Sequence, residues 1–204
     1  MVRVSQECEC LRPPGPGEDP LGCVSAWPCR NRRRWPGTGI GLTSPTLCRH
    51  AAHVSTPRVE KRTNPEAVDH ILRSLPDWFG IEEAIQNYVN MATSLDSFIA
   101  MDGDQAIGVA LIARHFPESA ELALIAVHAE HRSAGIGRQL VTAAERDLRA
   151  HGCLYLEVHT VGPSYDDEHY ATTRAFYRAV GFAPMHEFDR LDWDGPTLIL
   201  VKKL

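Results

Sequence analysis

The sequence predicts a mixed α/β fold, in which one partly parallel sheet carries helices on both faces. Three observations predict it. Apolar strands and amphipathic helices alternate through the middle of the chain, giving two strand–helix–strand units. Such units place their strands parallel and need a helix on the sheet face to cross over. Hairpin signals flank these units, so the sheet ends are antiparallel. The expected order is β-α-α-β-β-β-α-β-α-β-β, and no internal repeat interrupts it.

Each element has its own signal. Arg58 to Arg62 reads as a short first strand. Pro65 opens a helix through EAVDHILRSL, with apolar residues at 68, 71, 72 and 75, one helical face. Ile81 to Met91 repeats the pattern with Ile81, Ala84, Ile85, Tyr88 and Val89. SFIAM (97–101) and AIGVALIARHF (106–116) are strands joined at Asp102-Gly103-Asp104, a hairpin turn. Ser119 to His128 is the fourth strand. Gly135 to Ala150 is a long helix with Gly152 as its stop. CLYLEVHTV, Tyr170 to Val180, FAPMHEF and TLILVKKL follow as strand, helix and two closing strands.

Residues 1–56 fall outside this grammar. The first 58 residues hold eight Pro and six Gly with no apolar period, too little to offset the entropy of ordering them. The expected division is a disordered Pro/Gly/Arg/Cys-rich extension at 1–56 and a domain at 57–204. The extension also reads as sequence upstream of a misplaced translation start. Cysteines at 8, 10, 23, 29 and 48 lack zinc-site spacing, so no metal is expected. Cys153 opens an apolar strand and reads as a core thiol.

Charge narrows the function. Residues 1–58 carry a net +4 and residues 59–204 a net −9, which together give the chain its −5. A body at −9 repels polyphosphate at long range, which argues against nucleic acid as a partner. No apolar run approaches the roughly 20 residues of a membrane span, and no secretory leader is evident. The expected location is cytoplasmic, with no membrane partner. Exposed sheet edges leave a homodimer open.

One stretch suggests a ligand site. Residues 131–140, HRSAGIGRQL, join the apolar strand LALIAV to the helix bearing Ile136, Leu140, Ala144 and Leu148. Free N–H groups and the positive end of a helix dipole converge there. Gly135 and Gly137 leave room for an anion. Arg132 and Arg138 add charge, each charge-assisted bond contributing about 1.5–3 kcal/mol. A decoy, Arg34-Trp-Pro-Gly37-Thr-Gly39, has the same spacing but neither the strand nor the helix. No Gly-Lys-Ser/Thr follows, so this is not a P-loop, and Gly-x-Gly-x-x-Gly is absent. A short pyrophosphate cradle remains, or else a plain tight turn.

Val127 to Arg138, VHAEHRSAGIGR, resembles the acetyl-CoA signature of the GNAT family of N-acetyltransferases. Tyr170 to Phe182, YATTRAFYRAVGF, resembles that family's later motif, a helix with Phe-Tyr that ends in Gly-Phe. The resemblance spans about residues 57–204. It implies the GNAT acyl-CoA N-acyltransferase fold, with the fourth and fifth strands splayed around acetyl-CoA. The backbone of Ile125, Ala126 and Val127 would then hold the acetyl and pantetheine arm. Arg132, Ser133, Ala134, Gly135, Ile136, Gly137 and Arg138 would bind the pyrophosphate. Tyr177 falls where the family often has a tyrosine that protonates the leaving thiolate. The Asn common seven residues before it is Tyr170 here.

Amine chemistry can be weighed separately. A lysine-like amine has a pKa near 10.4 and must lose a proton before it attacks. Glu121 is the first choice of base, followed by Glu118 and His159, with His128 also a candidate. The loop GPSYDDEHY (162–170) would attract a cationic amine, or serves as a solvated helix start. Trp78-Phe79-Gly80 lines an acceptor pocket or locks a helix corner. The expected function is acetyl-CoA-dependent acetylation of a primary amine on a small molecule or peptide. A non-catalytic acyl-CoA-binding sensor is the alternative.

Overall fold

A computed structural model describes residues 57–204. The expected extension at 1–56, its five cysteines and the Arg34 decoy lie outside the described residues. The elements follow the expected order. They are β1 (Arg58–Lys61), α1 (Pro65–Arg73), α2 (Glu82–Met91), β2 (Asp96–Asp102), β3 (Gln105–Phe116), β4 (Ser119–Val127), α3 (Ile136–Ala150), β5 (Tyr155–Val161), α4 (Glu168–Ala179), β6 (Ala183–Phe188) and β7 (Thr197–Lys203). A turn of 3-10 helix, Ala129–His131, interrupts the loop after β4. Among the described residues no helix is long and apolar enough to cross a membrane.

Local chemistry sets the helix ends. The Asn64 side chain accepts from the Ala67 N–H at 3.0 Å, and Pro65 occupies the first turn of α1, where no N–H is needed. Asp167 caps α4 by accepting from the Tyr170 N–H at 3.0 Å.

The sheet runs β1-β2-β3-β4-β5-β7-β6. Among the described strands only β4 and β5 pair in parallel, and β7 inserts between β5 and β6. Both faces are covered, which explains the nearly continuous burial of β2 and β3. Phe98, Ala100, Ala110 and Ile112 enter a core beneath α3 and α4. Ile99, Met101, Val109 and Leu111 enter a second core beneath α1 and α2.

One irregularity positions the site. Ile112 pairs with Leu122 and Leu111 with Leu124, so Ala123 is an extra residue, a β-bulge. The bulge inverts the alternation of β4. Ala120 and Leu122 face the α3/α4 core, whereas Leu124 and Ala126 face the α1/α2 core. Beyond the bulge, Ile125 and Val127 pack toward α3.

A buried ion pair ties the elements together. Lys202 of β7 donates to Glu145 of α3 and to the Val180 carbonyl at the end of α4. Arg149 adds a bond to Glu145 at 3.1 Å.

Candidate active site

The β4–β5 ladder lasts for three pairs, Ser119 with Tyr155, Ala120 with Leu156 and Glu121 with Glu157. β5 then stays with β7 as far as Val161, while β4 continues to Val127 along β3. The two strands part, leaving a wedge that opens toward their carboxyl ends. Among the described residues, the backbone edge of Leu122–Val127 facing it has no strand partner. This edge includes the expected Ile125, Ala126 and Val127.

The mouth of the wedge meets the start of α3. Ser133 (φ 64°) and Gly135 (φ 80°) both adopt left-handed backbone. Gly135 is the residue suited to this, and a side chain there would meet nothing within 4 Å. The first intrahelical bond runs from Gln139 N–H to Gly135 O at 3.2 Å. The N–H groups of Ile136, Gly137 and Arg138 therefore have no intrahelical acceptor. Ser133 and Ala134 lie exposed beside them, and the Ile136 side chain is buried in the core.

Two expected residues have further partners. A methyl on Gly137 would stand 3.1 Å from the Phe176 ring, so this glycine serves the packing of α3 on α4. Arg138 donates to the Ala179 carbonyl at 3.1 Å, which ties its guanidinium to the end of α4. Arg132 is exposed, with its guanidinium 4.2 Å above the Trp78 ring. Trp78 also meets His169 edge-on at 5.0 Å. Ser74, Asp77, Trp78, Arg132, His169 and Thr172 help to line a cavity of about 430 Å3.

Tyr177 is only 6% exposed. Its ring lies 5.5 Å from Phe176 and 5.8 Å from Phe182. Burial pushes its phenol well above the ordinary value, and the phenols of Tyr88 and Tyr170 add to the shift. Such a phenol stays protonated at neutral pH and so has a proton to donate.

The base candidates separate. Glu118 is exposed at the β3–β4 turn, at the closed end of the wedge. His128 caps the 3-10 turn, its Nδ1 accepting from the Glu130 N–H at 3.4 Å, and stacks on His70 at 5.3 Å. His128, Glu130 and His131 bring potential ligand atoms within 4.8 Å of one another, with that His128 nitrogen already engaged. Glu121 stands at the last paired step of the wedge, on the α1/α2 face, and bonds His115 at 2.9 Å. His159 shares that face. Its Nδ1 lies 2.9 Å from Asp192 Oδ2, in the loop between β6 and β7. The bond to Asp192 raises the His159 pKa against a desolvation penalty, and Glu121 and Glu157 contribute.

Two loops wall this side. Tyr165 meets Trp193 edge-on at 5.5 Å, and the Ser164 N–H donates to Glu187 at 3.0 Å. Sequence reasoning missed Asp192 and the Ala123 bulge. Neither carries a local signal, because one is set by a contact 33 residues away and the other by strand register.

Residues 94–184 match a family model described as an acetyltransferase (GNAT) domain. No curated protein matches the sequence. The fold is similar to a solved structure assigned to the GNAT acetyltransferases from Desulfovibrio desulfuricans, with TM-score 0.64, 20% identity, 72% of this chain and 99% of that one. A GNAT family acetyltransferase from Elizabethkingia anophelis with acetyl-CoA bound matches at TM-score 0.55 and 19% identity, over 72% of this chain and 98% of that one. The ribosomal-protein-S18-alanine N-acetyltransferase from Escherichia coli matches at TM-score 0.58 and 16% identity, over 72% and 94%.

Proposed function

We propose that this chain, whose residues 94–184 match the GNAT acetyltransferase domain, is a member of that family and transfers an acetyl group from acetyl-CoA to a primary amine of a small molecule or peptide. The observation that carries this reading is the wedge between β4 and β5, which ends at the uncapped start of α3. Its unpaired strand edge suits an amide-bearing arm, and the N–H groups at its mouth suit a pyrophosphate. The bound acetyl-CoA of the Elizabethkingia neighbour supports the choice of donor.

Each residue has a part in this reading. Arg132 and the backbone of residues 133–138 hold the phosphates. The edge at Ile125–Val127 aligns the acyl arm, and a backbone N–H there meets the charge that develops on the thioester oxygen. The amine enters from the α1/α2 face, where Glu121 stands at the base of the wedge as a proton acceptor. Nitrogen bonds the acyl carbon as the carbon–sulfur bond breaks, and the Tyr177 phenol supplies a proton to the departing sulfur.

Calorimetric titration of the purified protein with acetyl-CoA, beside free CoA, tests the site. Micromolar binding of both is expected, followed by thiol release with some primary amine. A folded protein that binds neither would overturn the reading. One that binds both yet releases thiol with no amine would be a sensor instead.

A further inference from the structure

The acceptor nitrogen sheds two protons on its way from ammonium to amide, and Glu121, already bonded to His115, is one acceptor. We propose that His159 takes one of these protons and that Asp192 is the positioning residue that enables it to do so. The inference rests on the acetyltransferase reading above.

The geometry fixes the tautomer. A carboxylate only accepts hydrogen bonds, so the neutral His159 ring must carry its proton on Nδ1, toward Asp192. Nε2 then presents a free lone pair. The side chain is 23% exposed, half-buried at a mouth that a substrate can reach. β5 places it two residues past Glu157, where β4 and β5 have parted. The groups facing it are Asp192 from the β6–β7 loop, Glu121 from β4 and Glu157 from its own strand, all acidic. Its register partner on β7 is the apolar Ile199. This surrounding favours the protonated ring, which makes His159 a stronger base than a free imidazole. An imidazole, unlike a carboxylate, titrates near neutrality, where a general base is most effective.

The protons balance. One N–H proton passes to His159 Nε2, and the neutral amine attacks. The second leaves through Glu121. Tyr177 gives its phenolic proton to the CoA sulfur and takes one back from water, while His159 and Glu121 each return theirs to water, so one proton is released overall.

The test uses the full chain with 15N-labelled histidine. His159 is assigned by its absence in His159→Gln and titrated in the wild type and in Asp192→Asn. The expected result is a neutral ring protonated at Nδ1, with a midpoint that falls in Asp192→Asn. Turnover is followed with acetyl-CoA and lysine methyl ester. His159→Gln should lower kcat roughly 100-fold and erase the acid limb of the pH profile. Its acetyl-CoA affinity and melting temperature should hold. Asp192→Asn should move that limb to lower pH. A neutral ring protonated at Nε2, or a His159→Gln enzyme with the limb intact and kcat within about threefold, overturns the proposal. Wild-type protein that acetylates no amine counts against the acetyltransferase reading, and the tautomer then decides the dyad alone.

Discussion

The guanidinium of Arg132 lies 4.2 Å above the ring of Trp78, bridging the loop before α3 to the loop between α1 and α2. An exposed cation–π contact contributes about 0.5–1 kcal/mol, whereas a charge-assisted bond to a phosphate contributes about 1.5–3. The phosphate wins. A phosphate ligand at the start of α3 should therefore draw Arg132 off Trp78, and Trp78 should report it. Acetyl-CoA is expected to change tryptophan emission in the wild type and to leave Trp78→Phe nearly unchanged. Arg132→Ala should weaken acetyl-CoA about tenfold or more by calorimetry. An Arg132→Ala affinity equal to wild type would remove Arg132 from the cradle.

Tyr177→Phe separates chemistry from folding. The variant keeps the ring against Phe176 and Phe182 and removes only the hydroxyl. Stability and acetyl-CoA affinity should stay close to wild type. If the phenol protonates the thiolate, kcat should fall about 100-fold. Unchanged turnover would leave Tyr177 as core alone, which its depth of burial equally suits.

The elements were legible because periodicity is local. Every helix and strand lies within about two residues of its expected span, since each carries an apolar period of its own. The site was legible only in part. LALIAV is apolar at every position, so the alternation that would reveal the Ala123 bulge has no polar residue to mark it. Gly137 was read as open to an anion, although its missing side chain faces Phe176, 39 residues on. Asp167 stands in an acidic run that could have been a substrate magnet, yet its side chain caps α4. The bulge and the Gly137 contact depend on partners distant in sequence, where a single sequence is silent, whereas the Asp167 cap is local and stands three residues from Tyr170.

Lys202 and Glu145 are another long-range case, 57 residues apart. Their side chains are 18% and 8% exposed. Removing Lys202 leaves the Glu145 carboxylate, only 8% exposed, with Arg149 as its remaining cationic partner, so the cost should stay below the roughly 3–5 kcal/mol of a buried charge with no partner. Lys202→Met should still lower the denaturant midpoint, and it also takes a donor from the Val180 carbonyl. Adding Glu145→Leu to that variant should recover much of the loss, because no buried charge then remains. A double variant less stable than Lys202→Met would show that packing, not charge, dominates the site.

A more exposed ring of charges should give the fold its acid sensitivity. Asp96 meets Lys61 at 3.2 Å and Arg114 at 2.9 Å, and Asp147 meets the same two at 2.9 and 2.8 Å. The ring fastens α3 to β1, β2 and β3. Partial burial alone would raise the Asp96 pKa, but the hydrogen bonds from Arg114 and Lys61 hold it below the ordinary value. A lowered folded pKa means that this stabilisation is fully present above the ordinary carboxylate range. It is lost as pH falls through the folded value. Asp96→Asn removes that component at every pH. Melting temperatures of wild type and Asp96→Asn should therefore differ near neutrality and converge as the pH drops below about 4. High salt should shrink the gap as well, since these side chains face solvent. A gap that stays constant across the acid range would assign the role of Asp96 to shape and not to charge.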